Sequence, residues 1–208
     1  MIKLAITGNI ACGKTLIGNY LDKLKIPIID SDNIVHDLLS HSNEASTKII
    51  KLCQPNNIIN ENYLDQNISF INRQKLGELL FFDSSLKKQI EEIIHPKCRE
   101  ITEKFFQEKS DQGFELAINL IPLLFENNLQ KYYDKIWLIS CQSNIQKLRL
   151  QKRNPNLSDQ EVSARLKAQI PQENKINLVD FVIDNSGEIE KTLSQVDSGL
   201  KNLAKSLY

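Results

Sequence analysis

Residues 5–21, AITGNIACGKTLIGNYL, pass from an apolar run through a glycine-framed loop into a helical pattern, and their reading decides the fold. Residues 8–15, GNIACGKT, satisfy GxxxxGK[ST], which a chain of this length matches by chance only about once in a hundred. The context that pattern needs is present as well, a candidate strand before it and a candidate helix after it. Gly8 permits the turn out of the strand, the N–H groups of Asn9, Ile10, Ala11 and Cys12 converge on a concave anion site, and Gly13 admits phosphate where a Cβ would obstruct it. The helix N-terminus adds partial positive charge at the same spot. Lys14 then reaches the β- and γ-phosphates of a nucleoside triphosphate, and the Thr15 hydroxyl ligates Mg²⁺. The plain alternative is a βα turn shaped by two glycines, with Lys14 a solvated surface residue.

Outward from this loop, five short aliphatic runs are candidate strands: residues 2–7, 26–30, 116–121, 135–139 and 179–183. Most are apolar at nearly every position, which suits a parallel sheet covered by helices on both faces. Leu16, Ile17, Tyr20, Leu21 and Leu24 share one helical face after the first strand. Ile189, Leu193, Val196, Leu200, Leu203 and Leu207 form a second amphipathic face, with Ser186 as the expected N-cap. The expected fold is therefore α/β, a five-stranded parallel sheet flanked by helices with a phosphate-binding loop after the first strand, in a single domain over 1–208. Its core covers 1–40, 111–143 and 179–208, and a helical insertion occupies about 41–110, with Pro96 opening a new helix just after His95. A lid occupies about 144–178: a basic helix over 144–153, a break at Asn154-Pro155, and a helix opened by a Ser158/Glu161 capping box.

Composition narrows the function. Twenty-six Lys plus Arg balance twenty-six Asp plus Glu, so no net field attracts nucleic acid or an anionic membrane. No run of eighteen apolar residues and no signal-peptide pattern is found, so a cytoplasmic protein is expected. Cys12, Cys53, Cys98 and Cys141 lie more than forty residues apart, which predicts reduced thiols and neither a zinc site nor a disulfide framework.

Two further clusters suggest phosphoryl transfer. The second strand ends in IIDSD, placing Asp30 and Asp32 at the C-terminal sheet edge, where open α/β sheets bind ligands. On an extended chain these carboxylates point the same way, one toward Mg²⁺ through water and the other toward an acceptor hydroxyl. Asp32 could also be the N-cap of a helix over residues 33–39, the bland alternative. Among Lys147, Arg149, Lys152 and Arg153, the two arginines are four apart and share a helix face, so both can meet phosphates on lid closure; a wet helix face is the bland alternative.

With these residues in hand the chain resembles the dephospho-coenzyme A kinase family over nearly its whole length. The resemblance lies in TGNIACGKT, IIDSD, IIHPK at 93–97, PLLFE at 122–126, the Arg149/Arg153 segment, ARLKAQ at 164–169 and DFVIDNSG at 180–187. It implies ATP-dependent phosphorylation of the ribose 3′-hydroxyl of dephospho-coenzyme A, the last step of coenzyme A biosynthesis, on a P-loop core with a helical acceptor-binding insertion and a lid. Carried over residue by residue, Lys14, Asp32 and Arg149 are catalytic. Asn9, Ile10, Ala11, Cys12, Gly13, Lys14, Thr15, Arg153 and Asn185 bind ATP; Asp32, His95, Pro122, Leu123 and Glu126 bind the acceptor; Thr15 holds Mg²⁺. The expected partners are ATP and dephospho-coenzyme A, with no nucleic acid or membrane, and the chain is a monomer or weak homo-oligomer. His95 as a helix cap, the leucines of PLLFE as core, and Asn185 to Gly187 as helix-capping residues are the structural alternatives.

The family usually has glycine at the positions of Asn9 and Ala11, Ser or Ala at Cys12, and Asp at Asn154. The rival readings are another small-molecule or nucleotide kinase, a GTP-dependent switch and a non-enzymatic ATP-binding module. The switch lacks its guanine reader, because residues 174–177, NKIN, lack the final acid of Asn-Lys-x-Asp.

Overall fold

The computed structural model describes residues 1–54, 56–59 and 71–205. Contacts divide the chain into two compact units, Met1–Asp30 with Glu108–Tyr208, and Ser31–Gln107. The strands are β1 (Ile2–Gly8), β2 (Ile28–Asp30), β3 (Leu116–Leu120), β4 (Lys135–Ser140) and β5 (Phe181–Asp184). In chain order the helices are α1 (Lys14–Lys23), α2 (Ser31–Ser40), α3 (Glu44–Leu52), α4 (Arg73–Phe82) and α5 (Ser84–Asp111). They continue as α6 (Ser143–Arg153), α7 (Asp159–Lys167), α8 (Gln172–Ile176) and α9 (Ile189–Lys205).

In the first unit all strand pairs are parallel and the order is β2-β3-β1-β4-β5. β1 is central, with Ile6 beside Leu120 on one flank and Trp137 on the other. The two-residue strand period sends Leu4, Ile6, Trp137 and Ile139 to one face and Ala5 and Ile136 to the other. Both faces are buried, so the strands read as unbroken apolar runs. Ile17 and Leu21 of α1 and Val196 and Leu203 of α9 cover the first face, and the Tyr20 hydroxyl donates to Asp197 Oδ1 at 2.7 Å, tying those helices together. Leu124 and Phe125, from the turn after β3, cover the second face with Ile170 and Val179.

The second unit holds α2, α3, α4 and most of α5 around its own core of Leu39, Ile49, Ile71, Leu76 and Ile90. Asn43 and Ser46 close a capping box on α3, and the Asn72 side chain caps α4. This unit takes in α2, which the expected insertion over about 41–110 had left with the core.

Several local expectations are corrected. Pro96 lies inside the continuous α5 rather than opening a helix; it lacks the N–H that would bond the Glu92 carbonyl, and burial of Ile90 and Ile94 before it and of Phe106 after it carries the helix through. Leu24 follows the end of α1 and is exposed. Ser186 does not cap α9, which begins at Ile189; it hydrogen-bonds Asp184 and accepts from the Gln142 N–H at 3.0 Å. Leu207 lies outside the described residues. The Ser158/Glu161 capping box opens α7 as its spacing predicts, and all four cysteines are free thiols. Among the described residues no helix is long and apolar enough to cross a membrane.

Candidate active site

β1 ends at Gly8, where a Cβ would fall 2.7 Å from the Ile139 carbonyl oxygen of neighbouring β4. Beyond it Ala11 (φ +62°) and Gly13 (φ +104°) are both left-handed, a conformation that turns successive N–H groups toward a common concavity. For Ala11 this costs about 1–2 kcal/mol, backbone strain of the kind held at ligand sites. Gly13 is the N-cap of α1; no side chain caps it and the first turn carries no acid. The helix therefore opens with no side-chain cap and no acid of its own in the first turn, which suits an anion. Lys14 and Thr15 occupy this first turn, Lys14 partly buried and Thr15 exposed.

The start of the loop is gripped by protein. The Ile10 N–H donates to Gln169 Oε1 at 2.7 Å, and the Ile10 carbonyl accepts from Gln146 Nε2 at 2.8 Å. Asn9 is buried, its Nδ2 donating to the Ile170 carbonyl at 3.0 Å and its Oδ1 accepting from Lys175 Nζ at 2.8 Å. Asn185 is also buried: its Nδ2 donates to the Cys12 carbonyl at 2.7 Å, and its Oδ1 accepts from the Thr192 hydroxyl at 3.1 Å. Asn185 thus braces the loop from beneath. The Asn9 side chain and the Ile10 N–H and carbonyl are thus engaged by protein, and within the loop the Cys12 N–H donates to the Asn9 carbonyl at 3.1 Å.

The Cys12 and Cys141 thiols touch at 3.4 Å, a contact that a separation of more than one hundred residues hides. Their hydrogen bond holds the Cys141 thiol below the usual range, helped by the Arg149 guanidinium, and the same bond together with burial pushes Cys12 up. Gln172 Oε1 accepts from the Cys141 N–H at 3.0 Å, and its Nε2 donates to the Cys141 carbonyl at 2.8 Å. Arg149 Nη1 is buried with no hydrogen-bond partner. A guanidinium N–H enclosed beside the loop and left unpaired is a donor awaiting an acceptor. Arg153 is exposed at the end of α6. Asn154 donates its Nδ2 to the Leu150 carbonyl at 3.3 Å, closing the end of α6 as an ionised Asp cannot, because it has no donor.

After β3, the Thr7 hydroxyl donates to the Pro122 carbonyl at 3.4 Å. Leu124 is fully buried while Leu123 is 40% exposed, so only one of the PLLFE leucines is core. Glu126 Oε1 accepts from Lys175 Nζ at 2.8 Å and from the Ile170 N–H at 3.0 Å; its Oε2 is buried with no hydrogen-bond partner. Asp30 closes β2, and α2 begins at Ser31 with Asp32 inside its first turn. The chain is therefore not extended between the two carboxylates, which removes the argument that they point alike, and Asp32 is not the N-cap. His95 is exposed in mid-α5, which excludes a capping role.

Sequence reasoning missed Gln146, Gln172 and Lys175. Gln169 was visible as the last residue of ARLKAQ, but its bond to the loop spans more than 150 residues and has no local signal. Lys175 lies in NKIN, at 174–177, where nothing local marks a lysine as buried.

The family model for dephospho-CoA kinase matches residues 2–191. A dephospho-CoA kinase of Bacillus cereus is 31% identical over 201 residues, covering 97% of this chain and 96% of that protein. One from Carboxydothermus hydrogenoformans is 34% identical over 193 residues, covering 93% and 90%. The solved structure of a dephospho-CoA kinase from Campylobacter jejuni superposes with a TM-score of 0.71 at 25% identity, covering 99% of this chain and 98% of that one.

Proposed function

This chain belongs to the dephospho-CoA kinase family, and we propose that it moves the γ-phosphoryl group of ATP onto the ribose 3′-hydroxyl of dephospho-coenzyme A, producing coenzyme A and ADP. It is a kinase of coenzyme A biosynthesis. The observation that carries the reading is the uncapped first turn of α1 behind two left-handed loop residues, with the unpaired Arg149 Nη1 enclosed nearby. Together they offer donors and positive charge to a polyphosphate.

Phosphoryl transfer runs through a loose transition state with charge on the equatorial oxygens, so positioning and charge neutralisation do most of the catalysis. Lys14 holds the β- and γ-phosphates, and Arg149 meets the charge that develops on the transferring group. Asp32 aligns the acceptor hydroxyl and takes its proton late, since a sugar hydroxyl is too weak an acid to ionise beforehand. Thr15 fits Mg²⁺ because its exposed hydroxyl is a hard oxygen donor in the turn that receives the phosphates. Held there, Mg²⁺ would supply charge neutralisation to the transferring phosphate. Leu123 and Glu126 serve the acceptor, Glu126 through its open Oε2.

A coupled ADP assay with dephospho-coenzyme A, adenosine, AMP and pantothenate, with and without magnesium, tests this. ADP release that requires dephospho-coenzyme A and stops in EDTA is expected. Preference for any other acceptor overturns the substrate assignment.

A further inference from the structure

Lys175 is fully buried, and a lysine is rarely taken out of water without dedicated partners. Its Nζ has two, both at 2.8 Å: Asn9 Oδ1 on the loop and Glu126 Oε1 on the turn after β3. It also lies 6.0 Å from the centroid of the Phe125 ring. Its helix, α8, is only five residues long and has little stability of its own. Neighbouring Gln172 anchors that helix to both the N–H and the carbonyl of Cys141. The ammonium end of Lys175 is thus delivered to one fixed point by surroundings that hold it from several sides.

We infer that Lys175 is a positioning residue for the phosphate-binding loop, acting through Asn9, and that it also orients Glu126. Asn9 is what makes this link possible. Its carboxamide is held at both ends, Nδ2 on the Ile170 carbonyl and Oδ1 on Lys175. The link fixes the loop directly upstream of the strained Ala11. On the other side, Lys175 and the Ile170 N–H both engage Glu126 Oε1, which leaves Oε2 as that carboxylate's open acceptor. Lys175 touches no substrate; being enclosed, it works only through the two groups it holds. The inference rests on the proposed function for the meaning of the loop as an ATP site.

The test compares wild type, Asn9→Ala, Lys175→Met and the double variant by titration with a non-hydrolysable ATP analogue and magnesium, alongside thermal unfolding. Lys175→Met is expected to weaken binding about tenfold, the lower end of what losing a hydrogen bond to a charged group costs. Asn9→Ala is expected to weaken it severalfold with its unfolding midpoint near wild type. The double variant should bind no worse than Lys175→Met alone, because the two residues act as one unit. Unchanged analogue affinity in Asn9→Ala, or losses that add in the double variant, overturns the inference. Should Lys175→Met fail to fold, Asn9→Ala decides by itself. Should wild type not bind the analogue, the proposed function fails first and the inference falls with it; wild-type binding with unaffected variants sinks the inference alone.

Discussion

Asn185 occupies the volume that a side chain on Gly13 would need: its Nδ2 lies 2.0 Å from the ideal Cβ position of residue 13. That nitrogen is not at liberty to withdraw, because it donates to the Cys12 carbonyl while its Oδ1 accepts from Thr192. Residue 13 also sits at φ +104°, outside the range comfortable for an L side chain. Gly13→Ala should therefore destabilise the fold by about 1–3 kcal/mol, as overpacking and left-handed strain combine. It should also abolish measurable nucleotide binding. Urea unfolding and nucleotide titration check the two effects separately; a stable Gly13→Ala that binds ATP normally would show that the contact is soft.

Lys14 and Asp32 are expected to separate binding from chemistry. Lys14→Ala removes the cation from the first turn of α1 and should weaken ATP binding and lower kcat by at least about 100-fold. Asp32→Asn keeps the shape but accepts a proton poorly, so kcat should fall by about 10²–10⁴ with ATP affinity within twofold of wild type. Pre-steady-state phosphoryl transfer together with ATP titration distinguishes these. Near-normal turnover in Asp32→Asn would leave that residue only its place in the first turn of α2.

How much of this was legible follows from how far apart the interacting residues are in the chain. The strands, α1 and the capping box of α7 depend on neighbours within a few positions, so periodicity and spacing exposed them. The sheet order places β3 between β2 and β1, a pairing of segments far apart in the chain that no local pattern encodes. Pro96 misled because its preference for a first turn is local, whereas the packing that carries α5 past it is not. Ser186 misled likewise: it is the right residue type for a cap, but Asp184 and Gln142 engage it first. The brace formed by Gln146, Gln169, Gln172 and Lys175 was illegible because polar side chains in a lid-like segment read as solvated until their partners are known.

Burial pushes the Cys98 thiol up to about 11. Its folded value is therefore raised above that of the unfolded chain, so the neutral thiol is the form the fold favours. The associated stability is fully present below about pH 9 and is lost as pH climbs toward about 11, where the unfolded state ionises and the folded one resists. Cys98→Ser removes this titration. The stability difference between wild type and Cys98→Ser, from urea unfolding across that window, should shift against wild type as pH rises. A pH-independent difference would mean that the thiol ionises as readily in the folded protein as in the unfolded chain.

Arg149 and Arg153 are one helical turn apart on α6, yet their surroundings assign them different work. Arg149 has Nη1 buried without a partner and lies close enough to Cys141 to stabilise its thiolate, whereas Arg153 is exposed at the helix end. An enclosed donor gains most when charge develops beside it, since little water is present to compensate; an exposed one competes with solvent. Arg149→Ala should lower kcat by about 10²–10³, and Arg153→Ala by less than about fivefold. Arg149→Lys should recover little, because an ammonium cannot reproduce the planar fork at a site formed around it. Steady-state kinetics on the three variants decide the matter. A larger loss in Arg153→Ala than in Arg149→Ala would place the phosphate clamp at the tip of α6 and make Arg149 a structural partner of Cys141.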